Sequence, residues 1–145
     1  MPSLDIVGYT GAVVKHWGER LVIDLSGITY EQELPILMDH DPAVLLGQTS
    51  KVAVVDGELR LAGKLTTRSG PAAVLLEHAA NGFRWRASLG LMTQRVERVD
   101  AGASATVNGS VHEGPLRVVR AAELREISIV SVPADRRTTA AVAMA

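Results

Sequence analysis

The chain contains no cysteine, which excludes disulfides and thiolate metal sites and leaves hydroxyl, amine and carboxylate groups as candidate nucleophiles. Aromatic residues are nearly as scarce, with two tryptophans, two tyrosines and one phenylalanine in 145 residues. Because 47% of the chain is nonetheless hydrophobic, the core must be built from Val, Leu, Ile and Ala, whose branched members favour strands. Neither charge is in excess: the formal net charge is -1 and acidic and basic residues are interspersed. No basic stripe is available to neutralise phosphates along a nucleic acid, so a nucleic-acid partner is not expected. Long hydrophobic runs are missing too. No segment approaches the ~20 apolar residues that span a bilayer, and Asp5 and several glycines interrupt the N-terminal stretch where a secretory signal needs an unbroken apolar region. A soluble, intracellular protein without a membrane partner is expected.

The length suits a single domain over residues 1–145, large enough to bury roughly 68–70% of the surface that the unfolded chain exposes. No repeat or low-complexity linker divides it. Gly, Asn-Gly and Asp-Gly recur at short intervals, as in a barrel or sandwich. The clearest hairpin runs from Lys51 to Thr66 around Asp56-Gly57, and Asn108-Gly109 marks a second, both dipeptides suiting the positive φ angles of a type I′ turn. Further strands are expected near 4–7, 11–15, 20–25, 34–39, 48–55, 58–66, 83–99, 104–107, 110–113, 116–120, 124–132 and 138–143. One helix stands out, with Ser69 as its cap, Pro71 in its first turn, Asn81-Gly82 as its stop, and Val74, Leu75 and His78 on one face. A shorter helical turn is expected from Thr29 to Glu33, capped by Ser26 or Thr29.

Three stretches place reactive side chains inside apolar strands, an arrangement that costs free energy unless the group is hydrogen-bonded or functional. The first, Leu34 to Asp41, is apolar until it ends in Asp39-His40-Asp41. His40 could serve as a base, since an imidazole of ordinary pKa is mostly neutral at pH 7; a satisfied histidine at a strand end is the alternative, and a hard-metal site using the two aspartates lacks further ligands at suitable spacing. The second is Asn81 to Met92. Alternation puts Phe83, Trp85, Ala87, Leu89 and Leu91 on one face and Arg84, Arg86, Ser88 and Gly90 on the other. Gly90 would leave room for a substrate backbone near the Ser88 hydroxyl, and the arginines could polarise a carbonyl; a small residue in a packed strand is the plainer reading. The third is Leu124 to Asp135, where Glu126 and Ser128 share a face opposite Ile127 and Ile129. A carboxylate there wants a cationic or N–H partner, either an imidazole to orient or an arginine in a surface ion pair.

In this order, the stretches resemble the caudovirus prohead serine proteases, a family related in fold to the herpesvirus capsid assembly proteases. The likeness runs from about Leu34 to Val142: a histidine after an apolar strand (His40), a helix ending in glycine, a Ser-aliphatic-Gly motif (Ser88-Leu89-Gly90), and a strand Leu124-Arg125-Glu126-Ile127-Ser128-Ile129-Val130 leading to Pro133-Ala134. The resemblance implies a mainly β protein, a closed, mostly antiparallel barrel with one main helix and one or more short ones. It also implies a serine endopeptidase without a cofactor, with Ser88 as nucleophile, His40 as general base and Glu126 orienting the imidazole. Ser88 and His40 are then expected on adjacent strands, with side chains converging at an accessible groove. In the herpesvirus enzymes the third member is a histidine, and His112, within an added hairpin at Ala103 to Pro115, is the reserve candidate. The implied partners are capsid and scaffold precursors, cut inside the assembling prohead in the cytoplasm, with the chain itself among the candidate substrates and a homo-oligomer as the expected assembly. Two other readings keep the barrel: an inactive capsid-assembly or scaffold-like module of the same descent, and a small-ligand or metal-binding barrel built around Asp39, His40 and Asp41.

Overall fold

A computed structural model describes residues 1–144. Aliphatic residues alternating with polar ones produce twelve strands among the described residues: β1 Ser3–Tyr9, β2 Val14–His16, β3 Glu19–Ile23, β4 Ile28–Thr29, β5 Pro35–Met38, β6 Asp41–Val55, β7 Glu58–Leu65, β8 Arg86–Val99, β9 Ser104–Val107, β10 Ser110–Glu113, β11 Leu116–Val130 and β12 Thr139–Ala143. Helix α1 covers Pro71–Ala80 and a 3-10 turn covers Leu25–Gly27. Ten strands form one curled sheet and β9–β10 form a separate ribbon. Among the described residues, no helix is long and apolar enough to cross a membrane.

The spine of the sheet is β11. One of its edges pairs antiparallel with β8 from Leu116↔Val99 to Val130↔Arg86. The other takes three short strands in parallel, β3 against Arg117–Val119, β4 against Ala122–Glu123 and β5 against Ile127–Ile129. The pairing is thus mostly antiparallel, as expected, with parallel pairing among the described residues confined to these three short strands. A parallel pairing requires a long crossover between its strands, and the chain between β5 and β11 supplies one. The two strands expected at 116–120 and 124–132 are one, kept continuous through register shifts at Val119/Ala121, Ala121/Ala122 and Leu124/Glu126.

The barrel is also not closed. From β5 the sheet continues through β6, β7, β1 and β12, and its end approaches the start of β8 without a strand ladder. One main-chain bond, Ala140 N–H to the Trp85 carbonyl at 3.0 Å, crosses the seam. Side chains do the rest. Ala87 N–H donates to the fully buried Thr138 hydroxyl at 3.1 Å, that hydroxyl donates to the Ala87 carbonyl at 3.0 Å, and Arg86 Nη1 donates to the Thr138 carbonyl at 3.0 Å. A threonine satisfying main-chain groups in place of a strand leaves the rest of that β8 edge unpaired, so the fold is a curled half-barrel.

Both expected hairpins form, with Asp56-Gly57 at φ 53° and 76° and Asn108-Gly109 at 52° and 79°. Asn108 also pins its ribbon to the sheet: its amide donates to the Ile23 carbonyl at 2.8 Å and its Oδ1 accepts from Leu25 N–H at 2.9 Å. Beneath the ribbon lies a small core of Val22, Val99, Val107, Leu116 and Val118, while the main core gathers Ile6, Leu59, Leu61, Leu124, Ile127 and Ile129. Each such side chain stabilises the fold by about 1.5–3 kcal/mol through burial.

Helix α1 ends at Asn81 as expected but is capped by Gly70, without a side-chain cap bond from Ser69. Its buried positions are Ala72 and Leu75, three apart, whereas Val74 is exposed. The turn expected at Thr29 to Glu33 lies instead at Leu25–Gly27, capped by Asp24, because Asp24 Oδ1 accepts from Ser26 N–H at 3.0 Å and Ser26 Oγ at 2.6 Å. Thr29 instead enters β4.

Burial pushes the Asp24 carboxyl up, but hydrogen bonds from Ser26 and the Arg120 guanidinium outweigh it and hold the group below the usual carboxylate range. A depressed folded pKa means stability that is complete above the ordinary aspartate value near 3.9 and lost as pH falls through the folded value. Asp24→Asn should cost about 1 kcal/mol at pH 7. It should also flatten the fall of melting temperature below pH 4. Thermal melts from pH 2 to 7 check both, and unchanged acid sensitivity would place the titrating group elsewhere.

Candidate active site

Pairing of Met38 with Asp41 leaves Asp39-His40 as the two-residue tip of the β5–β6 hairpin. Both tip residues have positive φ, 51° and 59°, a region that Asp and His enter more readily than most side chains. Asp39 N–H donates to the Ile129 carbonyl at 3.2 Å and His40 N–H to Ser128 Oγ at 2.9 Å, so the tip folds over β11. The Asp41 carboxylate accepts from Ala43 N–H at 2.9 Å, turned back on its own strand. His40 thus tops a tight turn, not a strand end.

The register sets the rest. Ser88 lies opposite Ser128 and Gly90 opposite Glu126, which puts all four on one face of the β8–β11 pair. Spine β11 separates β5 from β8, so Ser88 and His40 are not on adjacent strands; the curled hairpin tip brings the imidazole across. His40 Nε2 lies 2.9 Å from Ser88 Oγ, and His40 Nδ1 lies 3.2 Å from each Glu126 carboxylate oxygen. With an ionised carboxylate as acceptor, Nδ1 carries the proton and Nε2 offers its lone pair to the serine O–H. The Glu126 side chain retains 12% exposure, that of His40 45%. The imidazole is therefore open to solvent while its anchor is largely withdrawn from it.

Gly90 has a different use from the one its position in the motif suggests. A Cβ there would lie 2.6 Å from both Cγ and Cδ of Glu126, so the missing side chain houses the carboxylate. Nor do the two arginines of this stretch stand beside the serine. Arg86 is bonded across the seam, and Arg84 precedes β8, in the turn where Phe83 and Trp85 stack edge-on at 4.9 Å and Trp85 Nε1 donates to the Leu75 carbonyl at 3.1 Å. His112 sits on β10 opposite Ala105, with Nε2 buried and unpartnered; the Nδ1 atom of His40 is already taken by Glu126.

Ser88 and His40 open onto a cavity of about 270 Å³ walled by Leu21, Ile23, Leu89, Leu91 and Val119. At its border Asp135 is a buried carboxylate, accepting from Thr10 N–H and Thr10 Oγ1 at 2.8 Å each and from Arg137 N–H at 3.1 Å, which ties the loop before β12 to the end of β1. Burial pushes the Tyr9 hydroxyl well above its ordinary pKa, against the opposing Ile23 hydrogen bond and with a further push from the Asp135 carboxylate. Thr138 and Ser128, both fully buried, join the network; Ser128 stands in the Leu124–Val130 strand motif and shares a face with Glu126, whereas no motif announced Thr138.

The family model of the caudovirus prohead serine protease matches residues 25–145. No curated protein matches the sequence. Among solved structures the fold is similar to that of Kaposi's sarcoma-associated herpesvirus protease bound to an allosteric inhibitor, with a TM-score of 0.54 at 17% identity over 98% of this chain and 75% of that one. The same protease bound to a dimer disruptor gives a TM-score of 0.55 at 14% identity over 100% and 77% of the two chains.

Gly90→Ala should force the Glu126 carboxylate out of its place, costing about 1–3 kcal/mol through overpacking. The hydrogen-bonded chain should break with it. Reaction of Ser88 with a fluorophosphonate should slow strongly in a protein that still melts cooperatively; wild-type labelling would show that Glu126 accommodates the methyl group.

Proposed function

Because the chain belongs to the caudovirus prohead serine protease family, we propose that it is a serine endopeptidase that cuts scaffold or capsid-protein extensions within the maturing prohead. The observation that carries the proposal is the continuous chain of polar contacts from Ser88 Oγ through the His40 ring to Glu126. In the proposed reaction, His40 Nε2 removes the Ser88 proton as Oγ attacks the scissile carbonyl. It then passes that proton to the leaving amine, and an acyl-serine is left behind. Water, deprotonated by the same imidazole, releases the acid product and restores the serine. Glu126 keeps Nδ1 protonated, holds the ring in plane and stabilises the imidazolium that forms in each half-reaction. The cavity beside Ser88, where aliphatic side chains meet His16, Arg117 and Asp135, is the proposed seat of the bound polypeptide. Self-cleavage and homo-oligomerisation belong to the same proposal. The dimer disruptor bound by the similar herpesvirus protease supports the second, and sedimentation of the purified chain tests it.

Ser88→Ala should abolish processing of the cognate precursor, a fall on the order of 10⁴ or more. It should leave thermal stability nearly unchanged, since only a hydroxyl at the rim of an open cavity is lost. Precursor cleavage followed by gel electrophoresis, with fluorophosphonate labelling as an independent reporter, measures the effect; near-normal processing by this variant would end the proposal.

Glu126→Gln should fold and slow turnover by about 10²–10⁴-fold, because an amide does not reliably hold the required tautomer. His112→Ala should keep most of the activity. Steady-state rates on the same precursor compare the two, and the reverse order of effects would make His112 the third member.

A further inference from the structure

Ser128 is wholly withdrawn from solvent, yet no step of the proposed reaction uses it. Its hydroxyl has one proton to give and lone pairs to receive, and the structure engages both roles. It donates to Glu126 Oε2 at 2.9 Å and accepts from the main-chain N–H of His40 at 2.9 Å. Glu126 in turn faces the His40 ring at Nδ1. A closed loop results: from the backbone of His40, through Ser128 and Glu126, back to the imidazole of the same residue.

We propose that Ser128 is a positioning residue of this site, which fixes the His40 ring by gripping its backbone and its carboxylate partner with one hydroxyl. The inference rests on the protease reading for its kinetic consequences, though not for its structural ones. Two physical features support it. His40 stands at φ 59° beside Asp39 at 51°, a left-handed pair that costs free energy unless the surroundings hold it, and the Ser128 hydroxyl satisfies the N–H that this conformation turns toward β11. The Glu126 carboxylate is largely buried and must be hydrogen-bonded to stay there. Without the Ser128 donor, Oε2 has only the imidazole, and the carboxylate is free to rotate about its own axis. A base must hold its geometry within a fraction of an ångström to work well, so loosening both ends of the loop affects turnover more than substrate binding.

The test uses the full chain in three forms, wild type, Ser128→Ala and Ser128→Thr. Ser128→Ala should lower kcat by about tenfold or more, as loss of an orienting partner does at other sites. KM should hardly change, and fluorophosphonate labelling of Ser88 should slow in parallel. Ser128→Thr, which keeps the hydroxyl, should recover most of the rate. An activity-independent reading comes from NMR of imidazole-labelled protein: the Nδ1–H signal of His40, protected in the wild type, should exchange faster with water in Ser128→Ala. A merely structural serine would lower the melting temperature while leaving kcat and the Nδ1–H signal as they are, and that result overturns the inference. Should Ser128→Ala fail to fold, Ser128→Cys, similar in size but a weaker donor, takes its place in every comparison. If wild-type Ser88 itself proves unreactive, the protease reading falls, while the NMR comparison still decides whether Ser128 positions His40.

Discussion

A carboxylate placed inside a β-sheet is the constraint around which this molecule is arranged. Glu126 lies near the C-terminal end of spine strand β11, where an ionised group without donors would be strongly destabilising. Its surroundings answer that requirement one by one. Gly90 on β8 gives it space, Ser128 gives it a hydrogen bond from its own strand, and the His40 ring supplies the third contact. The last of these comes from a hairpin tip that must adopt two consecutive left-handed residues to reach it. Moving any one of these neighbours would leave the carboxylate short of room or of partners.

The same strand explains the shape of the whole. By pairing β8 along one edge and β3, β4 and β5 along the other, β11 gathers both ends of the sheet around the site. Main-chain hydrogen bonding is completed only partly at the seam, where Thr138 and Arg86 substitute for a ladder. Beside this partly open seam, aliphatic side chains such as Leu89 and Leu91 line a cavity reachable at Ser88 and His40. The herpesvirus proteases of similar fold show that the architecture accommodates large sequence divergence, since likeness in backbone persists at 14% identity.

Much of this was legible beforehand, and the reasons are local. Asp56-Gly57 and Asn108-Gly109 announce their hairpins because few dipeptides tolerate two positive φ angles in succession. Pro71 and Asn81 bracket the helix because their own chemistry starts and stops one. His40, Ser88 and Glu126 stand out as polar residues interrupting apolar strands, and the structure does bring them together. Where the expectation failed, the cause was either a neighbour in the chain, as at the helix cap, or a partner distant in sequence. Ser69 lost the helix cap to Gly70, Val74 faced water because the core lies on the side of Ala72 and Leu75, and Gly90 served a carboxylate instead of a substrate.

The amino-acid sequence by itself determined which residues could do chemistry, how strands and turns alternate, and, through the order of its motifs, the family to which the chain belongs. These follow from backbone preferences and side-chain types that each residue carries wherever it is placed. Only the tertiary structure decided that β11 runs between β5 and β8, that the half-barrel stays open at Thr138, and that His40 meets Glu126 in preference to a closer neighbour in the chain. It also gave Ser128 its place beneath the histidine turn. Such relations depend on strand register between segments up to 88 residues apart, and a shift of one residue in that register would turn every one of these side chains to the opposite face.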